Sequence, residues 1–140
     1  MSGGGLLSSF GSYGAGGSDV TPSAVNWGNI TITDEYSGVE ENSAVTLAAI
    51  DATIQLRVVL GGGSGKVAWI KNGVAAGYTT ASATVSAQVG DQLAVRISAR
   101  PKPATSGNYI SGTATVYNDS DGAAVLDTFT YEAQYLYSLL

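Results

Sequence analysis

The chain has no cysteine and no histidine among its 140 residues. Without cysteine there is no disulfide framework, no thiolate metal site and no thiol nucleophile, so stability must come from burial and backbone pairing. That suits assembly in a cytoplasm. Without histidine the commonest general base and the commonest zinc ligand are both missing, and a Ser-His-Asp system is impossible. Charge is also scarce, at 12% of residues with a net charge of -5. So little cationic surface gives a nucleic acid almost nothing to neutralise its phosphates. No apolar run approaches the roughly 20 residues that cross a bilayer, and no basic-then-apolar signal pattern follows Met1. The chain is expected to be soluble, unexported by the usual signal, and free of membrane, nucleic acid and cofactor. An enzyme is the least favoured class.

What is present falls into three segments. Residues 1–19 are dominated by glycine and serine, a composition that cannot bury enough apolar surface to offset ordering. Leu6, Leu7, Phe10 and Tyr13 punctuate this flexible arm, which reads as a docking segment, with an inert linker as the alternative. Residues 20–133 form the body, and 134–140 a short Tyr- and Leu-rich tail. A body of about 110 to 120 residues suits one sandwich of about seven to nine strands.

Runs rich in Thr, Val, Ile and Tyr, separated by turn residues, predict strands over 27–33, 44–49, 53–60, 67–71, 75–80, 83–89, 92–99, 110–117 and 125–133. Leu93, Val95 and Ile97 alternate with Gln92, Ala94, Arg96 and Ser98, the period of a half-buried antiparallel strand. Asn72-Gly73 supplies the positive φ angles of a tight primed turn, and Asn118 to Gly122 links the last two strands. Residues 132–140 also fit one helical face, but a last strand or extended tail is favoured. The expected fold is all-β, an immunoglobulin-like antiparallel β-sandwich with a flexible Gly/Ser-rich N-terminal arm. Its core includes Leu56, Trp69, Val95, Ile97 and Val116. Trp27 either joins that core or clamps the start of the first strand.

Several local patterns suggest chemistry and are better explained by structure. Gly61 to Lys66 resembles a phosphate-binding loop, but Leu60 stands where the first glycine belongs, Val67 replaces the hydroxyl residue, and a strand-like run follows. Asp119-Ser120-Asp121-Gly122 resembles half a calcium loop without the distal glutamate; a hairpin loop needs the same residues. Asp34-Glu35 and Glu40-Glu41 pair carboxylates as a glycosidase does, yet nothing in the pattern buries them, so a solvated loop is expected. No catalytic, cofactor or metal residue is assigned.

Charge is distributed in blocks. All six cations (Arg57, Lys66, Lys71, Arg96, Arg100, Lys102) lie between positions 57 and 102, where Asp91 is the only acid. Either opposite potentials fall on different sides of the fold and steer docking, or the blocks interleave in space and cancel. At the far end Tyr135, Leu136, Tyr137, Leu139 and Leu140 follow Tyr131 and are more apolar than a chain end needs. With the arm residues they form the candidate protein interface.

Thr21-Pro22-Ser23-Ala24-Val25-Asn26-Trp27, Ile54-Gln55-Leu56-Arg57-Val58, the Lys71-Asn72-Gly73 turn, Val89-Gly90-Asp91-Gln92-Leu93, and Tyr117 to Gly122 ahead of Val125 to Phe129 stand in an order that resembles the Ig-like modules of tailed-bacteriophage virion proteins. The likeness spans about Thr21 to Tyr131. It implies a virion structural role, with assembly in the host cytoplasm, and carries no catalytic residue. A free-standing module with sticky ends looks most like a capsid decoration, or cement, protein. The partners so implied are the major capsid protein and copies of the chain itself. A tail or fibre component is the alternative, and so is a carbohydrate-binding module presenting Tyr36, Tyr78 or Tyr109 to a cell-surface glycan.

Overall fold

The structure is a computed structural model that describes residues 18–33, 38–61, 65–99 and 109–134, excepting the side chains of residues 109, 110 and 134. The strands are β1 (Ile30–Ile32), β2 (Val39–Glu41), β3 (Val45–Thr46), β4 (Ile54–Gly61), β5 (Lys66–Lys71), β6 (Val74–Ala75), β7 (Thr79–Thr80), β8 (Ser82–Ala87), β9 (Gln92–Ser98), β10 (Tyr109–Asn118) and β11 (Ala124–Gln134). They form two sheets, β2-β9-β5-β6 with β3 also on β9 and β7 also on β5, and β1-β11-β10-β4-β8. Pairing is antiparallel except between β1 and β11, which run parallel. The protein is an all-β, immunoglobulin-like sandwich.

Alternation puts one face of each long strand into the space between the sheets. Along β4, Ile54, Leu56, Val58 and Leu60 are buried, and along β9 so are Leu93, Val95 and Ile97. Trp69 and Val116 complete the contact with Ala114, Phe129 and Tyr131. Ala94 departs from the expected pattern: it lies on the other face of β9 and is nonetheless buried.

Trp27 lies outside any strand yet is 1% exposed, and its ring meets Trp69 edge-on at 5.7 Å between centroids. Each indole N–H is satisfied by a backbone carbonyl, Trp27 Nε1 by Leu93 and Trp69 Nε1 by Ala83. Two large rings can therefore be buried without an orphaned donor.

Residues 19–32 run as a strap beside β11. Thr21 Oγ1 donates to Asp121, the Trp27 amide to Asp127, and the Thr130 amide to Asn29 Oδ1, before Ile30 to Ile32 pair with Tyr131 to Ala133. Only the last three residues use the backbone ladder. For this reason the strand predicted over 27–33 is shorter in the structure; the rest of the strap is extended chain held by these side chains and by backbone bonds of Asp19 with Asp51 and Ser23 with Ala48.

Two further expectations change. The strand predicted over 75–80 is divided into β6 and β7, because every residue from 72 to 81 is exposed and no face needs a continuous ladder. Residues 39–41, expected in a solvated loop, form β2 against Arg96 to Ser98 of β9. At Gly112 a side chain has no room: an added Cβ would collide with the Gly61 carbonyl and lie 2.7 Å from Tyr131 Oη. The Tyr131 ring fills the place that a Gly112 side chain would take, directly across the ladder.

Candidate functional site

Strand direction gives the sandwich two poles. The hairpin pole holds the 3-10 turn Asp119–Asp121, the start of β4 (the Gln55 amide donates to Ser120 Oγ) and the root of the arm. There the Asp19 amide donates to Asp51 Oδ1, and Asn118, fully buried, donates to the Val20 carbonyl while accepting from the Ser120 amide. Asp19, the last residue assigned to the arm, is thus bonded to the body. β11 leaves this pole and ends at Gln134 at the other, where the tail begins.

Leu6, Leu7, Phe10 and Tyr13 lie outside the described residues, as do Tyr135, Leu136, Tyr137, Leu139 and Leu140. The structure places only the roots of their segments, on opposite poles. The core residues Leu56, Trp69, Val95, Ile97 and Val116 are each at most 1% exposed.

The suspected motifs resolve into structural parts. Gly61 ends β4 and Lys66 opens β5, so the glycine-rich run joins two strands, with residues 62–64 outside the described set. In the hairpin, Asp119 is engaged by Arg57 through Nε and Nη2 at 3.0 and 3.1 Å, and Gly122 takes the left-handed conformation at φ 61°. The Arg57 guanidinium also lies 4.5 Å above the Tyr117 ring. Hydrogen bonding to Arg57 holds the Asp119 carboxyl below the usual carboxylate range. Among the described residues no group of three or more acidic, histidine or cysteine side chains is placed to hold a metal ion.

The charge blocks interleave. Arg57 reaches Asp119 across 62 residues and Arg96 reaches Glu41 across 55, the latter at 2.7 Å. Half the described cations thus pair with acids from the flanking blocks. Asp34, Glu35, Arg100 and Lys102 lie outside the described residues.

A groove of about 360 Å³ opens at the hairpin pole between β5 and β8, lined by Thr53, Lys71, Asn72, Ser86, Ala87, Gln88 and Asp91. Its polar groups largely bind one another. Lys71 Nζ donates to the Ser86 carbonyl, Asn72 Nδ2 to Asp91 Oδ1, and the Gln88 amide to Asp91 Oδ2. Asn72 and Gly73 take φ 53° and 82°, the primed turn expected of Asn-Gly. None of the lining residues is aromatic, so a sugar ring finds no stacking platform in the groove. Of the tyrosines considered for glycans, Tyr78 is 39% exposed, while Tyr36 and the Tyr109 side chain lie outside the described set.

Hydrogen bonds from Asn72 and then the Gln88 amide hold the Asp91 carboxyl below its ordinary value. A depressed carboxyl stabilises the fold fully above the unfolded value of about 3.9, and that contribution is lost as pH falls through the lower folded value. Asn72→Gly keeps the turn's positive φ and removes the donor. The Asp91 midpoint is expected to rise toward an ordinary aspartate in a carbon-13 carboxyl titration; an unchanged midpoint would contradict the assignment.

Neither a protein-family model nor a curated protein sequence matches the chain. Solved structures are similar at low identity. The N-terminal domain of PorA is 19% identical over 81% of this chain and 87% of its own, with a TM-score of 0.39. The collagen adhesin CNA of S. aureus is 8% identical over 81% and 50%, with a TM-score of 0.42. The CFA/I adhesin CfaE of enterotoxigenic E. coli, as its G168D mutant, is 8% identical over 81% and 47%, also at 0.42. This chain spans about half of each adhesin's length.

Proposed function

We propose that the chain is a non-enzymatic structural protein of a bacteriophage virion, acting as a capsid decoration protein that binds the assembled head and stabilises it. The observation that carries this reading is the placement of the segment roots. Asp19 is tied down at the hairpin pole and Gln134 ends β11 at the other. Eleven residues of β11 separate these poles by about 35 Å, at about 3.3 Å per residue. One rigid body so presents an arm carrying Leu6, Leu7, Phe10 and Tyr13 and a Tyr- and Leu-rich tail to two different neighbours. A ligand that binds only the assembled shell deepens its stability by mass action, and repetition over many copies adds avidity, so weak individual contacts suffice.

The same polarity suits a tail or fibre component assembled head to tail. Purified particles separate the two readings: many copies on empty heads are expected, and copies confined to tails would move the assignment to the alternative. Deleting residues 1–18 is expected to abolish head binding while leaving the sandwich folded by circular dichroism. Undiminished binding of the truncated chain would refute docking through the arm.

A further inference from the structure

We propose that Asn72 is a site of spontaneous covalent modification, deamidation by closure onto the Gly73 nitrogen, and that Asp91 and Gln92 hold it unreacted while the turn between β5 and β6 is closed. Of the six asparagines in the chain, Asn72 alone precedes a glycine. A glycine amide is the least hindered nucleophile that the backbone offers, because no Cβ shields it. Asn72 and Gly73 are both exposed, and a Cβ added at Gly73 would meet nothing within 4 Å, so water reaches the reacting atoms. Asn42 and Asn118 are buried, and the exposed Asn26 and Asn29 precede the bulky Trp27 and Ile30.

The step needs only water and hydroxide. Hydroxide takes the Gly73 amide proton and the nitrogen attacks Asn72 Cγ; the new N–Cγ bond closes a five-membered succinimide as the Cγ–Nδ2 bond breaks and ammonia leaves, taking a proton from water. Water then opens the ring at either carbonyl, leaving aspartate or isoaspartate at position 72. The net change is carboxamide plus water to carboxylate plus ammonium, with nothing oxidised or reduced.

The closed turn opposes this attack. Both ends of the carboxamide are held by the start of β9: Nδ2 donates to Asp91 Oδ1 at 3.0 Å and Oδ1 accepts from the Gln92 amide at 2.9 Å, while the Asn72 amide donates to the Gln92 carbonyl at 2.8 Å. Ring closure turns the carboxamide onto its own main chain and breaks both side-chain bonds, so the reaction runs from turns that have opened locally. The product does not restore the clamp. A carboxylate at position 72 puts an acceptor where Nδ2 donated to Asp91, and like charges so close repel. Isoaspartate also lengthens the main chain of a tight turn whose length sets the register of β5 against β6. The change therefore accumulates one way, in the wall of the groove that Asn72 and Asp91 line.

The inference does not depend on the virion reading, and its test uses the purified full chain alone. Samples are held in mildly alkaline buffer and digested, and the peptide carrying Asn72 is followed by mass spectrometry for the amide-to-acid mass gain and for isoaspartate. In urea the gain is expected at Asn72 ahead of the other asparagines. In the folded chain it is expected at least about tenfold slower, the protection that a hydrogen bond to a charged group supplies. Asp91→Ala, folded by circular dichroism, is expected to react at least about tenfold faster than the folded wild type. Asn42→Ala loosens the opposite edge of the same sheet and is expected to keep the wild-type rate. A folded wild type that reacts as fast as in urea overturns the proposal, as does an Asn72 that stays unreacted in urea. So does an Asp91→Ala chain that reacts at the wild-type rate, or no faster than Asn42→Ala, since protection then comes from the fold as a whole and not from the clamp.

Discussion

Trp69→Ala is expected to cost about 3–5 kcal/mol of folding stability. A domain of this size has about 5–15 kcal/mol in all, so the variant should be marginally folded at room temperature. Three contributions are lost together. The ring is 1% exposed at the centre of β5, between the two sheets, so its removal leaves a cavity that a rigid sandwich closes only in part. The edge-on contact with Trp27 goes, worth about 0.5–1.5 kcal/mol beyond area. The Ala83 carbonyl also loses the indole N–H, and with it a tie between the two sheets. Trp69→Phe separates these contributions, because a phenyl ring keeps most of the packing and only the N–H is gone. Its loss is expected near 1–2 kcal/mol in urea unfolding followed by circular dichroism. Equal losses for alanine and phenylalanine would mean that the hydrogen bond, and not the ring, holds the sheets together.

The importance of Trp69 was legible because an indole inside the run from Val67 to Lys71 has nowhere to go but between sheets. The long strands were legible for the same reason: β4, β9, β10 and β11 alternate over seven or more residues, and a one-residue slip would turn every apolar side chain to water. Trp27 was ambiguous because its burial depends on partners far along the chain. Its amide is held by Asp127 and its indole by the Leu93 carbonyl, and neither bond has a local pattern. The strand Val39–Glu41 was invisible because two of its three residues are glutamates, and its pairing rests on Arg96 arriving opposite Glu41.

The candidate site shows the same division. Blocks of like charge were plain in the sequence, but whether they oppose or neutralise each other is a matter of register. Arg57 with Asp119 and Arg96 with Glu41 are pairs that only the folded sheets create. Between Lys71 and Asp91 the chain carries no charged residue. Periodicity suggested a continuous strand over residues 75–80. Two short pairings and ten exposed positions instead make that interval surface, which no propensity scale would reveal.

The least legible residue carries the second large effect. Asn42 lies between β2 and β3, where the edge of the first sheet is interrupted opposite Val95. It replaces the missing ladder with its own atoms. Its amide donates to the Val95 carbonyl at 3.1 Å and its side-chain oxygen accepts from the Val95 amide at 2.9 Å. The side-chain Nδ2 then reaches across to the Gly28 carbonyl at 3.2 Å, joining the strap to the sheet. Asn42 is 8% exposed, so water cannot readily take over its bonds to Val95. Asn42→Ala preserves the main-chain bond, orphans the buried Val95 amide at a cost of about 1–3 kcal/mol, and frees the carbonyl of exposed Gly28, which water can reach. A loss of about 1–3 kcal/mol is expected in urea unfolding, together with faster hydrogen exchange at the Val95 amide than at its β9 neighbours. Asn42→Asp keeps the acceptor for Val95 but turns a second oxygen toward the Gly28 carbonyl, so it should fall between wild type and alanine. If alanine costs less than about 1 kcal/mol, the gap in the ladder is solvated and the side chain is not what closes it.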